Sequence, residues 1–219
     1  MPSSAAKEEA EAMDQYGDMV PYADPSWYQS YHTPFFNETH AALRQEVREW
    51  VDEELQPNIT EWDEAKKVPD EIYKKLAEKG YLAGLMGMHY PTHLTKNTVK
   101  SVPPEKWDLF HELIITDELS RTGSGGFVWS MLGGFGIGCP PLAKFGKKEL
   151  VQRTMPQILS GDKRICLAIT EPAAGSDGKQ HTSNIFRDKD VVLIWVCFSG
   201  QLGVRGQAYG GWQALHRQR

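Results

Sequence analysis

The sequence predicts a mainly α-helical fold, an N-terminal helical bundle followed by the beginning of a second, β-containing domain. Three observations predict it. Apolar residues recur at helical spacing through most of Asn37 to Lys163, each run bounded by capping and breaking residues. At Ile165 the period changes to that of a strand, in "ICLAITEPAAGSDGKQ". The strand then breaks at once into Pro, Gly and Ser, which cannot continue it. Helices in succession followed by strands place a domain boundary near Asp162.

Residues 1–36 are first acidic, then aromatic and proline-rich, and read as a partly disordered arm whose Trp27, Tyr28 and Tyr31 are free to pack onto the domain. A first helix follows, with Leu43, Val47, Trp50, Val51 and Leu55 on one face, Asn37 or Thr39 as cap and Pro57 as stop. "PDEIYKKLAEKG" predicts a second, acidic in its first turn and closed by Gly80. In the third, "EKWDLFHELIITDELSRTG", Leu109, Phe110, Leu113, Ile114 and Leu119 are expected to form the apolar face. "GSGGFVWSMLGGFGIGCPPLAKFG" is apolar nearly all round, which predicts a buried helix, and its glycines predict close approach of a backbone or ligand. "KKELVQRTMPQILSGDK" predicts a last helix, interrupted at Pro156 and stopped by Gly161.

The 219 residues are 40% hydrophobic and carry a formal net charge of −5. That composition is globular, and without a basic block it offers no nucleic-acid surface. The apolar runs Phe127 to Leu132 and Val191 to Phe198 are far shorter than the roughly 20 residues a membrane span needs. Cys139, Cys166 and Cys197 are odd in number and lie among apolar residues or beside Pro, so reduced thiols and an intracellular compartment are expected. No secretory, transit or peroxisomal signal is recognisable, so cytoplasm, mitochondrion and peroxisome stay open.

Several patterns that invite chemistry have plainer explanations. His89 and His93 have the spacing of helical metal ligands, but Pro91 between them removes the helix, so no metal site is expected. The glycines of Gly133 to Gly138 do not follow a strand and do not fit a dinucleotide loop. Asp117 and Glu118 are read as a solvated helix end. That leaves the strand and turn at 165–177, which either link two domains or present hydroxyls and backbone N–H groups to a ligand.

"AITEPAAGSD", Ala168 to Asp177, resembles the first signature of the acyl-CoA dehydrogenase family, and the helical order from Asn37 onward looks like that family's N-terminal domain. The resemblance implies a helical domain over 37–163 and the beginning of a β-barrel domain over 164–219. It implies an FAD-dependent α,β-dehydrogenation of acyl-CoA thioesters, with electrons passed to an electron-transfer flavoprotein or to oxygen, in a homo-oligomer. Carried over residue by residue, Leu167, Ile169 and Thr170 would contact the flavin ring, while Gly175 and Ser176 would meet the FAD pyrophosphate or the CoA arm. Leu167 stands where many members have an aromatic residue. Glu171 and Asp177 would hold the turn.

The resemblance covers roughly Asn37 to Asp177, and Gln180 stands where the signature would close on a small residue. Residues 178–219 form a divergent tail with no acidic residue after Asp190. Trp195 lacks the Trp-x-Thr setting of the family's flavin tryptophan. The family's catalytic glutamate belongs to a later helical domain, so no catalytic base is assigned in this chain, which is expected to be truncated, its tail translated from a retained intron or a shifted frame. An inactive fragment or a non-catalytic helical interaction module is the alternative.

Overall fold

The computed structural model describes residues 33–87 and 89–166 and the backbone of 167 and 191–194. Helix α1 spans Glu38–Trp50 and runs directly into a wide π-turn over Val51–Leu55. Its buried face is Leu43, Val47, Trp50, Val51 and Leu55, the stripe the sequence predicts, and each such side chain contributes about 1.5–3 kcal/mol by leaving water. Asn37 caps it, the side chain accepting from the Thr39 N–H. Short α2 (Ile59–Glu64) and α3 (Asp70–Glu78) follow, with Ile72, Tyr73, Leu76 and Ala77 of α3 turned inward. Gly80 ends α3 in the left-handed region at φ 79° and opens the single turn α4 (Tyr81–Gly84).

After the loop to Trp107, Asp108 caps α5 (Leu109–Ser120), which packs against α1. Here the expected face is wrong in part. Leu109 and Leu113 are about half exposed, at 47% and 50%, and the buried stripe is His111, Ile114, Ile115, Glu118 and Leu119. Two polar residues occupy core positions because each finds bonded partners across the interface, which a count of apolar residues does not register.

Helix α6 (Gly125–Met131), a π-helical segment over Leu132–Gly138 and α7 (Cys139–Phe145) form one continuous rod. Phe127, Met131, Phe135, Cys139 and Leu142 are buried at near-helical intervals, but Trp129, Ile137 and Phe145 are exposed, so the rod is buried along one stripe and not all round. Helix α8 (Lys148–Leu159) carries Pro156 inside it without interruption. Proline there forgoes one backbone bond, and the buried Met155, Ile158 and Leu159 hold the last turn in place. Gly161, at φ 77°, stops it as expected.

Strand β1 (Arg164–Leu167) then pairs in parallel with β2 (Val191–Ile194), Arg164 opposite Val191 and Leu167 opposite Ile194. The fold is therefore mainly α, a helical bundle with a short strand pair after it. Among the described residues no helix is long and apolar enough to cross a membrane.

Candidate functional site

The predicted ligand-facing segment begins on β1, and the bundle fixes where that strand starts. Gly161 lets the chain turn beneath α3: a Cβ there would lie 2.6 Å from the Tyr73 carbonyl oxygen. Arg164, the first strand residue, pairs with Asp70 and lies over the Tyr73 ring, 4.1 Å from its centroid. Burial alone would lower the Arg164 pKa, but its bonds to Asp70 and Tyr73 outweigh that and raise it. The same hydrogen bond and charge hold the Asp70 carboxyl below its usual range. The Tyr73 hydroxyl in turn lies 3.3 Å from Ser130 Oγ on α6.

On its other side β1 lies against the glycine-rich π-helical segment. A Cβ on Gly134 would stand 2.5 Å from the Ile165 carbonyl oxygen, and one on Gly138 would stand 3.4 Å from the Ile165 side chain. The glycines thus admit a neighbouring backbone, which is what their spacing predicts. Gly134→Ala is expected to push the strand off the rod and to cost about 1–3 kcal/mol, the usual range for overpacking. A denaturant midpoint that does not move would show that β1 is not held there.

Of the five sequence-predicted site residues, the structure places Leu167 at the end of β1. Ile169, Thr170, Gly175 and Ser176 lie outside the described residues, as do Glu171, Asp177, Trp195 and Cys197. Cys139 and Cys166 are free thiols, both pushed up in pKa by burial. His89 and His93 are exposed loop residues.

Two polar clusters in the α1–α5 interface escaped the sequence reading. In the first, Glu118 is fully buried and is no solvated helix end. Arg48 grips it with two bonds of 3.0 Å, Arg44 approaches to 3.1 Å and Arg121 to 3.1 Å. Asp117 lies 3.7 Å from Arg44 and Asp52 lies 3.0 Å from Arg121, so three guanidinium groups meet three carboxylates. One signal was available: Glu118 follows Ile114 and Ile115 at helical spacing, and Arg44 and Arg48 flank the apolar stripe of α1. The second cluster joins His40, Asp108 and His111. Asp108 and His111 are three residues apart at the start of α5, but His40 is 68 residues from Asp108, so no local spacing announces the cluster as a whole.

The described residues are those of a known architecture. The family model of the acyl-CoA dehydrogenase N-terminal domain matches residues 37–162. The acyl-CoA dehydrogenase AFT10-1 of Alternaria alternata is 38% identical over 164 residues, a match covering 74% of this chain and 38% of that protein. The mitochondrial short-chain specific acyl-CoA dehydrogenase of Bos taurus is 31% identical over 188 residues, covering 85% of this chain and 40% of that one. A solved acyl-CoA dehydrogenase of Geobacillus kaustophilus shares the fold at a TM-score of 0.53 and 23% identity, over 73% of this chain and 38% of that chain. The matches thus span about two fifths of the length of these curated relatives. With its helical bundle matched and its strand entry formed as described, the chain belongs to the acyl-CoA dehydrogenase family.

Proposed function

We propose that this chain supplies the N-terminal helical domain and the first flavin-facing strand of an FAD-dependent acyl-CoA dehydrogenase. One observation carries the reading: the family match over 37–162 runs directly into "AITEPAAGSD", the signature at 168–177. In this reading residues 1–36 are an arm, 37–163 the helical domain and 164–219 an incomplete β-barrel domain. β1 fits the role in one respect, because it is gripped at its start by Arg164 and backed by Gly134, so its far end is positioned by the bundle.

The chemistry FAD supplies is acceptance of a hydride from the β-carbon of the acyl chain. The chain's own residues bind and orient. Leu167, Ile169 and Thr170 would hold the flavin ring by backbone groups and a hydroxyl, and Gly175 and Ser176 would receive the pyrophosphate or the CoA arm. Removal of the α-proton is assigned to no residue of this chain. An acyl-CoA thioester, an electron-transfer flavoprotein or oxygen as acceptor, further copies of the chain and an intracellular setting belong to the same reading.

Purified protein is expected to carry a flavin band near about 450 nm that bleaches when an acyl-CoA is added to a chain able to turn over, and persists in one that only binds. Thr170→Ala and Ser176→Ala are expected to weaken flavin retention without unfolding the bundle. A folded, colourless preparation that takes up no added FAD would reject the flavoprotein and leave a helical interaction module.

A further inference from the structure

The starts of α1 and α5 are built alike and lie against each other. Each opens on a capping side chain, Asn37 or Asp108, and each carries a histidine at its third position, His40 or His111. In both, the imidazole Nδ1 accepts the backbone N–H of the capping residue, at 3.1 Å. Glu or Gln ordinarily fills that place in a capping box, with an oxygen that accepts throughout the physiological pH range. Histidine can fill it only while Nδ1 carries no hydrogen.

Two of the remaining contacts fit hydrogen on Nε2, and a third, His111 Nδ1 at 2.9 Å from Asp108 Oδ1, becomes a bond only when Nδ1 takes up a proton. With Nδ1 accepting, the ring hydrogen is on Nε2. His40 then donates to Asp108 Oδ1 at 3.1 Å, and His111 donates to Thr39 Oγ1 at 2.9 Å. Thr39 passes its own hydrogen to Asn37 Oδ1 at 2.7 Å. Each helix start therefore closes on the other's cap. The two rings stack at 3.8 Å between centroids, 21° from parallel, and both residues are fully buried. Trp107 stacks on His111 at 5.1 Å, and Phe36 and Phe110 present edges to His40.

A metal ion does not suit this arrangement. Nearly parallel stacked rings send their in-plane lone pairs side by side instead of toward one point. Freeing Nε2 of His40 for a metal would also turn an Nδ1–H onto the Asn37 N–H.

Protons suit it differently. Among the described residues, the titratable and charged groups facing either ring are the other ring, across the α1–α5 interface, and the Asp108 carboxylate on the α5 side. Asn37, Thr39, Phe36, Phe110 and Trp107 complete the surroundings and are neutral. One carboxylate can balance one imidazolium: His111 Nδ1 lies 2.9 Å from Asp108 Oδ1 and could donate there, giving up the cap bond of α5. A second proton would stack two like charges at the positive ends of two helices and press an N–H against an N–H.

We propose that the His40–Asp108–His111 stack is a pH-sensitive latch, which ties the starts of α1 and α5 together while both imidazoles are neutral and loosens as His111 takes up a proton when the pH falls. Burial first, then the neighbouring His40, holds His111 below the ordinary histidine value against the pull of Asp108. Burial alone would raise the Asp108 carboxyl, but the bond from His40 and the charge of both rings outweigh it and leave it lowered. A lowered histidine means that the unfolded chain binds the proton more readily. The latch is therefore at full strength above the reference value of 6.5 and weakens as pH falls below it.

The test compares the full chain with the double variant His40→Gln, His111→Gln, which keeps an acceptor at each capping position and removes the titration. Amide hydrogen exchange, corrected for its intrinsic pH dependence, is followed from about pH 7.5 to about pH 5. Peptides covering the starts of α1 and α5 are expected to lose about tenfold in protection in the wild type and to stay level in the variant. Parallel profiles for the two proteins would overturn the latch. Imidazole 15N shifts of the wild type at neutral pH supply a reading that needs no variant: hydrogen on Nε2 of both rings is expected, and hydrogen on Nδ1 of either overturns the proposal. So would a shift of these signals on adding zinc chloride, which would make the cluster a metal site.

Discussion

Replacing Glu118 by leucine is expected to destabilise the bundle by about 3–5 kcal/mol, the range for removing one partner of a buried ion pair. The side chain is buried with Arg44, itself without exposed surface, and is the carboxylate nearest to that guanidinium at 3.1 Å. Leucine fills similar space but leaves a guanidinium charge in a site that water does not reach. Glu118→Gln should fall between, since it keeps an acceptor and loses the charge. Asp52→Asn serves as the contrast. Its side chain is 47% exposed against Arg121, and a surface pair of this kind is worth less than about 1 kcal/mol. Denaturant titrations of the three variants decide the matter, and a Glu118→Leu loss below that of Asp52→Asn would show that the hub is not what holds α1 on α5.

Gly161→Ala is expected to cost about 2–5 kcal/mol, because two separate penalties fall on one residue. The backbone sits at φ 77°, where a side chain costs about 1–2 kcal/mol. The added Cβ would also stand 2.6 Å from the Tyr73 carbonyl oxygen and 2.9 Å from the Lys74 nitrogen, and such overpacking adds about 1–3 kcal/mol. Gly161→Asn separates the two: asparagine tolerates the left-handed region but brings the same Cβ. If both variants lose stability alike, the close approach to α3 dominates. If Asn behaves as Gly, the contact relaxes and only the dihedral matters. Because this turn delivers the chain to Arg164 and β1, the proposed flavin site should weaken in step with the contact penalty.

The helices were legible where their signals are local. Asn37 and Gly80 act within a turn of their own positions, and the α1 stripe repeats over four turns, so nothing distant can reverse them. Misreadings came where a partner far along the chain decides. Glu118 looked solvated because Arg44 and Arg48, which bury it against α1, are far from it in sequence, while Arg121 nearby suggested an ordinary surface pair. Leu109 and Leu113 looked buried because the stripe was chosen by hydrophobicity, whereas the true one passes through His111 and Glu118. Pro156 looked like a break because its missing bond is visible in sequence and the packing of Met155 and Ile158 around it is not. In the candidate site, residues 168–177 lie outside the described residues, and the structure adds only how the strand before them begins.

By itself the sequence determined where α1 starts and where α3 and α8 stop, that strand follows helix near residue 164, and which family signature follows it, because caps, breakers and short motifs act through neighbours a few bonds away. Tertiary structure alone decided which face of α5 is the core, that Gly134 is reserved for the backbone of Ile165, and that two histidines 71 residues apart (111 − 40) stack as mirrored caps. Those outcomes depend on which surfaces meet, and in a buried interface the free energy of a polar group is set by the partner it meets and not by its own kind.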